Sequence, residues 1–237
     1  MASSSSRSRP GEGGGALAGT TVLTTADGRT LVVRSGVMAD ARDVRRLIDA
    51  VAAEPGVPLL ATPGSISLRD VKGLIAKGAR DPGSVFLVAE VAGRMAGNLG
   101  GSGLAFAPSA HVFEFGMSVD AAYRGVGVGA ALLEAALAWA AGAGFTRVEL
   151  SVFPHNTRAI AFYERHGFTF EGSRPRRFRR AGRYFDEQLM GRTLGAAAEP
   201  AAAEPAAAGS AAAGSATTAA APATPAAAPA TPGAGMV

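Results

Sequence analysis

The chain has 237 residues, no cysteine and a formal net charge of +4 at pH 7. The absence of cysteine excludes a disulfide-linked fold, a thiolate nucleophile and a cysteine-ligated zinc site. No stretch has the roughly 18 uncharged apolar residues of a membrane span, and the surplus of positive charge favours an anionic partner.

Composition divides the chain into three parts. Residues 195–237 contain 22 alanines with Gly, Pro, Ser, Thr and two glutamates, and only Met236 and Val237 have larger side chains. Such a segment buries too little apolar surface to offset its ordering entropy, and residues 1–19 have the same weakness. We therefore expect a disordered N-terminal segment, one domain over residues 20–194 and a disordered Ala/Pro-rich tail.

The N-terminal segment also bears on localisation. It has no acidic residue before Glu12 and is rich in Ser and Arg, as transit peptides are, but its glycine run is a poor amphipathic helix. It lacks the apolar core of a secretory signal peptide. We expect a cytoplasmic protein.

The first half of the domain predicts a hairpin followed by two helices. The Asp-Gly pair at 27–28 separates two β-rich runs, residues 21–25 and 30–34, and supplies the positive φ angles of a tight turn. Asp40 is expected to cap a helix whose apolar residues recur at helical spacing. They are Val44, Leu47, Ile48 and Val51. Residues 67–70 have the form of a capping box and begin a second helix.

The second half alternates strands and helices. Predicted strands cover residues 85–91, 95–104, 111–119, 147–153, 168–178 and 184–194. A long helix follows the third of these strands and ends at the glycines of residues 142–144, and a shorter helix covers residues 157–166. This order predicts an α/β arrangement around a mixed sheet.

A glycine-rich loop lies between the strand that ends at Val119 and the long helix. Gly125, Gly127 and Gly129 allow main-chain N–H groups to point into a common space without side-chain obstruction. The helix N-terminus adds partial positive charge and unpaired donors at the same place. The pattern predicts an anion site, although glycines also serve simply to form a tight turn.

Three phosphate-binding patterns compete for this loop. A Walker loop is excluded because no lysine lies near it. Residues 125–130 satisfy the dinucleotide fingerprint, but residues 120–124 separate them from the preceding strand, and Glu149 falls inside the next strand rather than at its end. The third pattern is Arg124-x-x-Gly127-x-Gly129.

This third pattern belongs to a family resemblance. Residues 111–194 resemble the GNAT superfamily of N-acetyltransferases, through the loop motif and through a second motif in residues 150–168 with Asn156, Tyr163 and a following Gly-Phe pair. The resemblance implies an α/β (α+β) fold, with a mixed, mostly antiparallel, twisted sheet flanked by helices. It also implies that the fourth strand, ending at Val119, splays from the fifth, residues 147–153.

The resemblance further implies acetyl-CoA as cosubstrate, without a metal, and assigns residues to it. Main-chain groups at the end of the fourth strand would pair with pantetheine, loop amides would bind the pyrophosphate, and Asn156 would bind the pantetheine arm or a water. These residues are Met117, Ser118, Val119, Arg124, Gly125, Val126, Gly127, Val128, Gly129, Ala130 and Asn156. Tyr163 would protonate the departing thiolate. From the residues alone, Asn156 is also interpretable as a helix cap and Tyr163 as a core aromatic.

Glu114 is the candidate general base for the acceptor amine. It alternates with Phe113 and Phe115 on a predicted strand and therefore points away from them. A solvated strand glutamate is the alternative interpretation. The three histidines, His111, His155 and His166, are not at metal-ligand spacing, so we expect no metal site.

Six arginines crowd the last predicted hairpin. They are Arg174, Arg176, Arg177, Arg179, Arg180 and Arg183. In order of preference, they form a solvated surface, hold an anionic group of the acceptor, or contact nucleic acid, which is unlikely because only Phe178 and Tyr184 are interleaved. Resemblance to small-molecule members of the superfamily implies that Tyr184 and Glu187 touch the acceptor.

The sequence thus predicts an acetyl-CoA-dependent N-acetyltransferase. The expected acceptor is a primary amine of a small molecule or amino acid, and direct transfer in a ternary complex is expected because the chain lacks cysteine and a G-x-S-x-G elbow. The alternatives are a protein N-terminal or lysine acetyltransferase, or a non-catalytic module that binds acyl-CoA or RNA. No membrane partner is expected, and a homodimer is compatible with the sequence.

Overall fold

The computed structural model describes residues 19–56, 61–180 and 182–195. The expected terminal segments lie outside the described residues except at Gly19 and Gly195, so the three-part division of the chain stays a prediction. Four α-helices are described: α1 (Ala41–Ala52), α2 (Leu68–Arg80), α3 (Val128–Gly142) and α4 (Thr157–Arg165). Eight strands are described: β1 (Thr21–Thr24), β2 (Thr30–Ser35), β3 (Ser84–Val91), β4 (Arg94–Gly103), β5 (Val112–Val119), β6 (Arg147–Val152), β7 (Thr169–Arg180) and β8 (Arg183–Thr193).

The eight strands form one sheet in the order β1-β2-β3-β4-β5-β6-β8-β7. All neighbours are antiparallel except β5 and β6, which are parallel and pair only from Val112 to Glu114 on β5. Beyond Glu114 the two strands separate, and we call this opening the strand gap. The expected mixed, mostly antiparallel sheet is confirmed, and the splayed pair, fourth and fifth in the family, is β5 and β6 here.

Local sequence signals account for the ends of several elements. Gly28 adopts φ 85° in the turn between β1 and β2. Ser67 Oγ accepts from the Asp70 amide at 3.2 Å and Asp70 Oδ2 accepts from the Ser67 amide at 2.9 Å, which forms the predicted capping box. Asp40 precedes α1 as predicted, but its carboxylate does not cap that helix. It accepts from the Val37 amide and binds Arg34 instead.

The two faces of the sheet carry separate hydrophobic clusters. The larger cluster contains residues of α3 together with Phe113, Phe115 and Met117 of β5. The smaller cluster joins α1 and α2 to Phe86 and Val88 of β3. Because side chains alternate along a strand, Glu114 lies on the face that α1 and α2 cover, which we call the α1/α2 face. Among the described helices, none is long and apolar enough to cross a membrane.

Candidate active site

The glycine loop, residues 124–130, presents a run of main-chain donors. Gly125 and Gly127 adopt φ 77° and 103°, in the left-handed region that favours glycine. Gly127 is the N-cap of α3, and the first helical bond runs from the Ala131 amide to the Gly127 carbonyl at 3.0 Å. The six amides of residues 125–130 have no hydrogen-bond acceptor within the part of the chain that the structure describes. Together with the helix N-terminus they form a cradle suited to an anion.

The strand gap runs from Glu114 along β5 to the end of that strand at Val119, shortly before this loop. The Leu104 amide donates to Val112 O at 3.1 Å and the Asp120 amide donates to Ala96 O at 3.0 Å, with an unbroken register between them. Because an antiparallel ladder alternates, the even-numbered residues of β5 bond to β4 and the odd-numbered residues direct their N–H and C=O groups to the gap. The predicted residues Met117 and Val119 therefore face the gap.

Ser118 departs from its predicted role. The ladder commits its main-chain groups to β4, so Ser118 cannot pair with a ligand in the gap as the sequence suggested. Its hydroxyl lies opposite Asn98, and among the described residues neither side chain finds a hydrogen-bond partner although both are buried.

Arg124 does not offer its guanidinium to the cradle. Nη1 and Nη2 donate to the two carboxylate oxygens of Glu54 at 2.6 and 2.7 Å, and Nε donates to Val119 O at 2.8 Å. This bidentate pair fastens the glycine loop to the end of α1 and occupies one carbonyl at the mouth of the gap. The motif alone gives no sign of this partner, because Glu54 lies 70 residues away.

Asn156 and Tyr163 are both held by the local packing of α4. Asn156 Oδ1 accepts from the Ala159 amide at 3.2 Å and so caps the helix. Tyr163 is fully buried, and its ring lies 6.1 Å from Phe115 of β5 and 5.7 Å from Phe168 between centroids. Burial raises the pKa of Tyr163, which keeps the phenol protonated at neutral pH. The contact with Phe115 puts Tyr163 beside the strand that borders the gap.

Glu114 stands at the point where β5 and β6 separate. It is half-buried and lies opposite Glu149 in the last pair of the parallel ladder. Burial raises the pKa of Glu114, and the carboxylates of Glu149 and Glu187 raise it further while Arg174 acts in the opposite direction. A half-buried carboxylate with a raised pKa, placed where two strands separate, is a candidate general base.

Arg158 was not singled out from the sequence. It lies one helical turn before Phe162 on α4. The Phe162 ring is the group closest to the point that a Cβ on Gly129 would occupy, at the start of α3. Burial and the charge of Arg124 lower the pKa of Arg158. Because Glu54 is bound to Arg124, Arg158 has no ion-pair partner in the described chain. Its place two residues after Asn156 was the only available signal.

The two residues expected at the acceptor lie on opposite faces of β8. Glu187 is buried and accepts from Arg174, on the same face of the sheet as Glu114. Tyr184 is exposed, with the Arg176 guanidinium 4.2 Å from its ring centroid. The structure thus brings Glu187 toward the site and turns Tyr184 away from it. No group of three or more His, Asp or Glu side chains in the described ranges is arranged to hold a metal ion.

Comparison with known proteins gives the class to which this fold and site belong. The profile of the acetyltransferase (GNAT) family matches residues 59–168. The L-amino acid N-acetyltransferase AaaT of Escherichia coli (strain K12) is 33% identical over 115 residues, which are 47% of this chain and 69% of that protein.

Solved structures agree with this assignment. A GNAT-family acetyltransferase from Streptococcus pneumoniae superposes with a TM-score of 0.63 at 25% identity, covering 69% of this chain and 99% of that one. A phosphinothricin acetyltransferase from Sinorhizobium meliloti, solved with acetyl-CoA, shares the fold with a TM-score of 0.60 at 20% identity, covering 73% and 90%. The chain belongs to the GNAT family and is an N-acetyltransferase.

Proposed function

We propose that this protein transfers the acetyl group of acetyl-CoA to a primary amine of a small molecule or amino acid, by direct transfer in a ternary complex. The observation that carries the proposal is the cradle at residues 125–130, whose six amides have no acceptor among the described residues, next to the strand gap. A diphosphate matches such a cradle in charge and in its number of acceptor oxygens.

The strand gap supports the same ligand. Main-chain N–H and C=O groups of Met117 and Val119 face it, and an amide-containing arm in the gap would extend the sheet as a strand does. Val119 O is already bound by Arg124, so we infer that Met117 supplies the principal main-chain contacts. Arg158 adds positive charge beside the cradle.

In the proposed reaction Glu114 accepts a proton and Tyr163 donates one. Acetyl-CoA supplies a thioester whose carbonyl an amine nitrogen attacks. Glu114 accepts the proton of the acceptor ammonium, directly or through a water, on the α1/α2 face. Tyr163 holds a proton on its phenol oxygen and gives it to the leaving sulfur as the new N–C bond forms and the C–S bond breaks. The second proton that the nitrogen loses on becoming an amide returns, through solvent, to the phenolate and restores Tyr163. Burial raises the pKa of Tyr163, so the phenol carries its proton at neutral pH and has one to give.

Thiol release measured with a disulfide reagent tests the proposal. We expect release that requires both acetyl-CoA and an amine from a panel of small amines, amino acids and peptides. Tyr163→Phe should lower kcat by about 10²- to 10⁴-fold, the usual contribution of a positioned acid. Tyr123→Phe is the matched control, because the Tyr123 ring packs under Arg29 and its hydroxyl has no proposed role.

The alternatives give different results in the same assay. Faster turnover of peptides than of free amines and amino acids would identify a protein acetyltransferase. Binding of acetyl-CoA without thiol release from any acceptor would identify a non-catalytic module. Equal kcat in Tyr163→Phe and the wild type would remove Tyr163 from the mechanism.

A further inference from the structure

Two arginines share one buried carboxylate on β8. Arg174 Nη1 lies 2.9 Å from Glu187 Oε2, and Arg177 Nε lies 3.7 Å from the same oxygen. The Glu187 side chain is only 5% exposed, whereas those of Arg174 and Arg177 are 54% and 56% exposed. Glu187 accepts a hydrogen bond from Arg174, and most of the ten guanidinium N–H donors of the two arginines remain outside the pair.

This cluster lies on the same face of the sheet as the proposed base. Met190 of β8 belongs to the larger hydrophobic cluster, so by alternation Glu187 lies on the opposite, α1/α2 face, which also carries Glu114. Arg174 is opposite Glu187 in the β7–β8 ladder and shares that face. The charges of both Arg174 and Glu187 act on the pKa of Glu114, so the cluster is within electrostatic range of the base.

Three of the other hairpin arginines have different partners. Arg176 and Arg179 lie over the exposed ring of Tyr184, at 4.2 and 5.8 Å from its centroid. Arg180 donates to the Ala52 carbonyl at the end of α1 at 2.9 Å. Among the hairpin arginines in the described residues, Arg174 and Arg177 are the two that combine an ion pair to a buried carboxylate with a side chain more than half exposed.

We propose that Arg174 and Arg177 form a subsite for an acidic group of the acceptor, so that the enzyme prefers amines that also carry a carboxylate. The inference rests on the proposed function and assigns its acceptor specificity. The hydrogen bond to Glu187 orients Arg174 before the acceptor arrives, which reduces the entropy lost on binding, and Arg177 lies within ion-pair distance of the same carboxylate. The planar guanidinium fork matches a carboxylate in two parallel hydrogen bonds.

Three acceptors that differ only in the acidic group test the subsite. They are the best amino acid of a panel, its carboxamide and the corresponding decarboxylated amine, assayed by thiol release at saturating acetyl-CoA. We expect kcat/KM of the wild type to be at least about tenfold higher for the amino acid, mainly through KM, since a lost charged contact is worth on this order. Because the three amines differ in basicity, the variant-to-wild-type ratio for each acceptor is the deciding quantity.

Arg177→Met is the primary variant, because it retains the 2.9 Å pair between Arg174 and Glu187. We expect it to lower kcat/KM for the amino acid about tenfold and to leave turnover of the decarboxylated amine unchanged. The triple variant R174M/R177M/E187M removes the whole cluster without leaving a buried charge unpaired, and should abolish the preference. R176M/R179M is the matched control, and it should keep the preference because those arginines lie on Tyr184.

The results separate this inference from the proposed function. A wild-type enzyme that acetylates all three acceptors with no preference, or an Arg177→Met and a triple variant that keep the wild-type ratios, would overturn the subsite and leave the acetyltransferase intact. An equal loss of preference in R176M/R179M would also overturn it, because the effect would then be one of general surface charge. Absence of turnover with every acceptor would refute the proposed function and the subsite together.

Discussion

Glu114 is the residue whose surroundings most directly affect both stability and chemistry. Its pKa is raised in the folded protein by burial and by neighbouring carboxylates. The folded state therefore binds this proton more tightly than the unfolded state, and the free energy of unfolding falls as the pH rises from the unfolded-state pKa through the folded-state pKa. The same ionised form is the one that accepts a proton from the acceptor.

Glu114→Gln should therefore separate stability from activity. We expect the free energy of unfolding of the variant, relative to wild type, to rise as the pH rises through the Glu114 pKa, while kcat/KM falls by about 10²-fold or more. Urea unfolding and initial rates across pH 4–9 measure both quantities. Glu134→Gln on the exposed side of α3 is the control and should change neither.

The quantity to compare is the free energy of unfolding of Glu114→Gln minus that of the wild type. If this difference fell as the pH rose, it would contradict the burial of an ionisable carboxyl at this position. A pH–rate profile with the same acidic limb in wild type and Glu114→Gln would show that another group accepts the proton.

Among the helices, strands and turns, the sequence predicts those features that depend only on residues close together in the chain. The β1–β2 turn, the capping box of α2 and the start of α3 at Gly127 follow from neighbouring residues, and the alternation around Glu114 follows from strand geometry. Three features of the site could not be predicted. They are the ion pair of Arg124 with Glu54, the pairing of the Ser118 main chain with β4 rather than with the gap, and the position of Arg158 near Arg124. Each depends on register or on a partner far along the chain, which a single sequence does not specify.

The glycine loop depends on the left-handed backbone of Gly127. Gly127 has φ 103° and open space at its Cβ position, so Gly127→Ala introduces backbone strain rather than a clash. An L-residue in left-handed conformation costs about 1–2 kcal/mol. We expect that loss in the free energy of unfolding, and weaker acetyl-CoA binding because the amides are re-oriented, measured by chemical denaturation and calorimetry.

Gly129→Ala is the matched control for stability. Gly129 lies in the first turn of α3, and an added Cβ would meet Phe162 at 3.5 Å, an ordinary contact. Its free energy of unfolding should equal or exceed that of the wild type, since alanine is the better helix former. Equal stability of Gly127→Ala and the wild type would mean that the loop does not need the left-handed conformation.

At the scale of the whole molecule, the sheet, both hydrophobic clusters and the proposed site all lie within residues 19–195. The composition of residues 196–237 predicts that they add no core. Deleting them should therefore leave the melting temperature and the acetyl-CoA affinity unchanged, as measured by calorimetry on the full and shortened chains. A substantial loss of either quantity would show that the Ala/Pro-rich segment takes part in folding or in the site.

The sheet also explains why the two proposed proton-handling groups can act on one ligand. Tyr163 contacts β5 on the side of the larger hydrophobic cluster, and Glu114 projects from β5 on the α1/α2 face. A ligand in the strand gap would therefore be accessible from both faces. This arrangement requires that the glycine loop fix one end of the ligand.

A crystal structure of the protein with acetyl-CoA tests that requirement most directly. We expect the two phosphates of the diphosphate to lie within hydrogen-bonding distance of the amides of residues 125–130, with the pantetheine arm in the gap beside Met117. A diphosphate bound away from these amides, or a pantetheine arm outside the gap between β5 and β6, would contradict it.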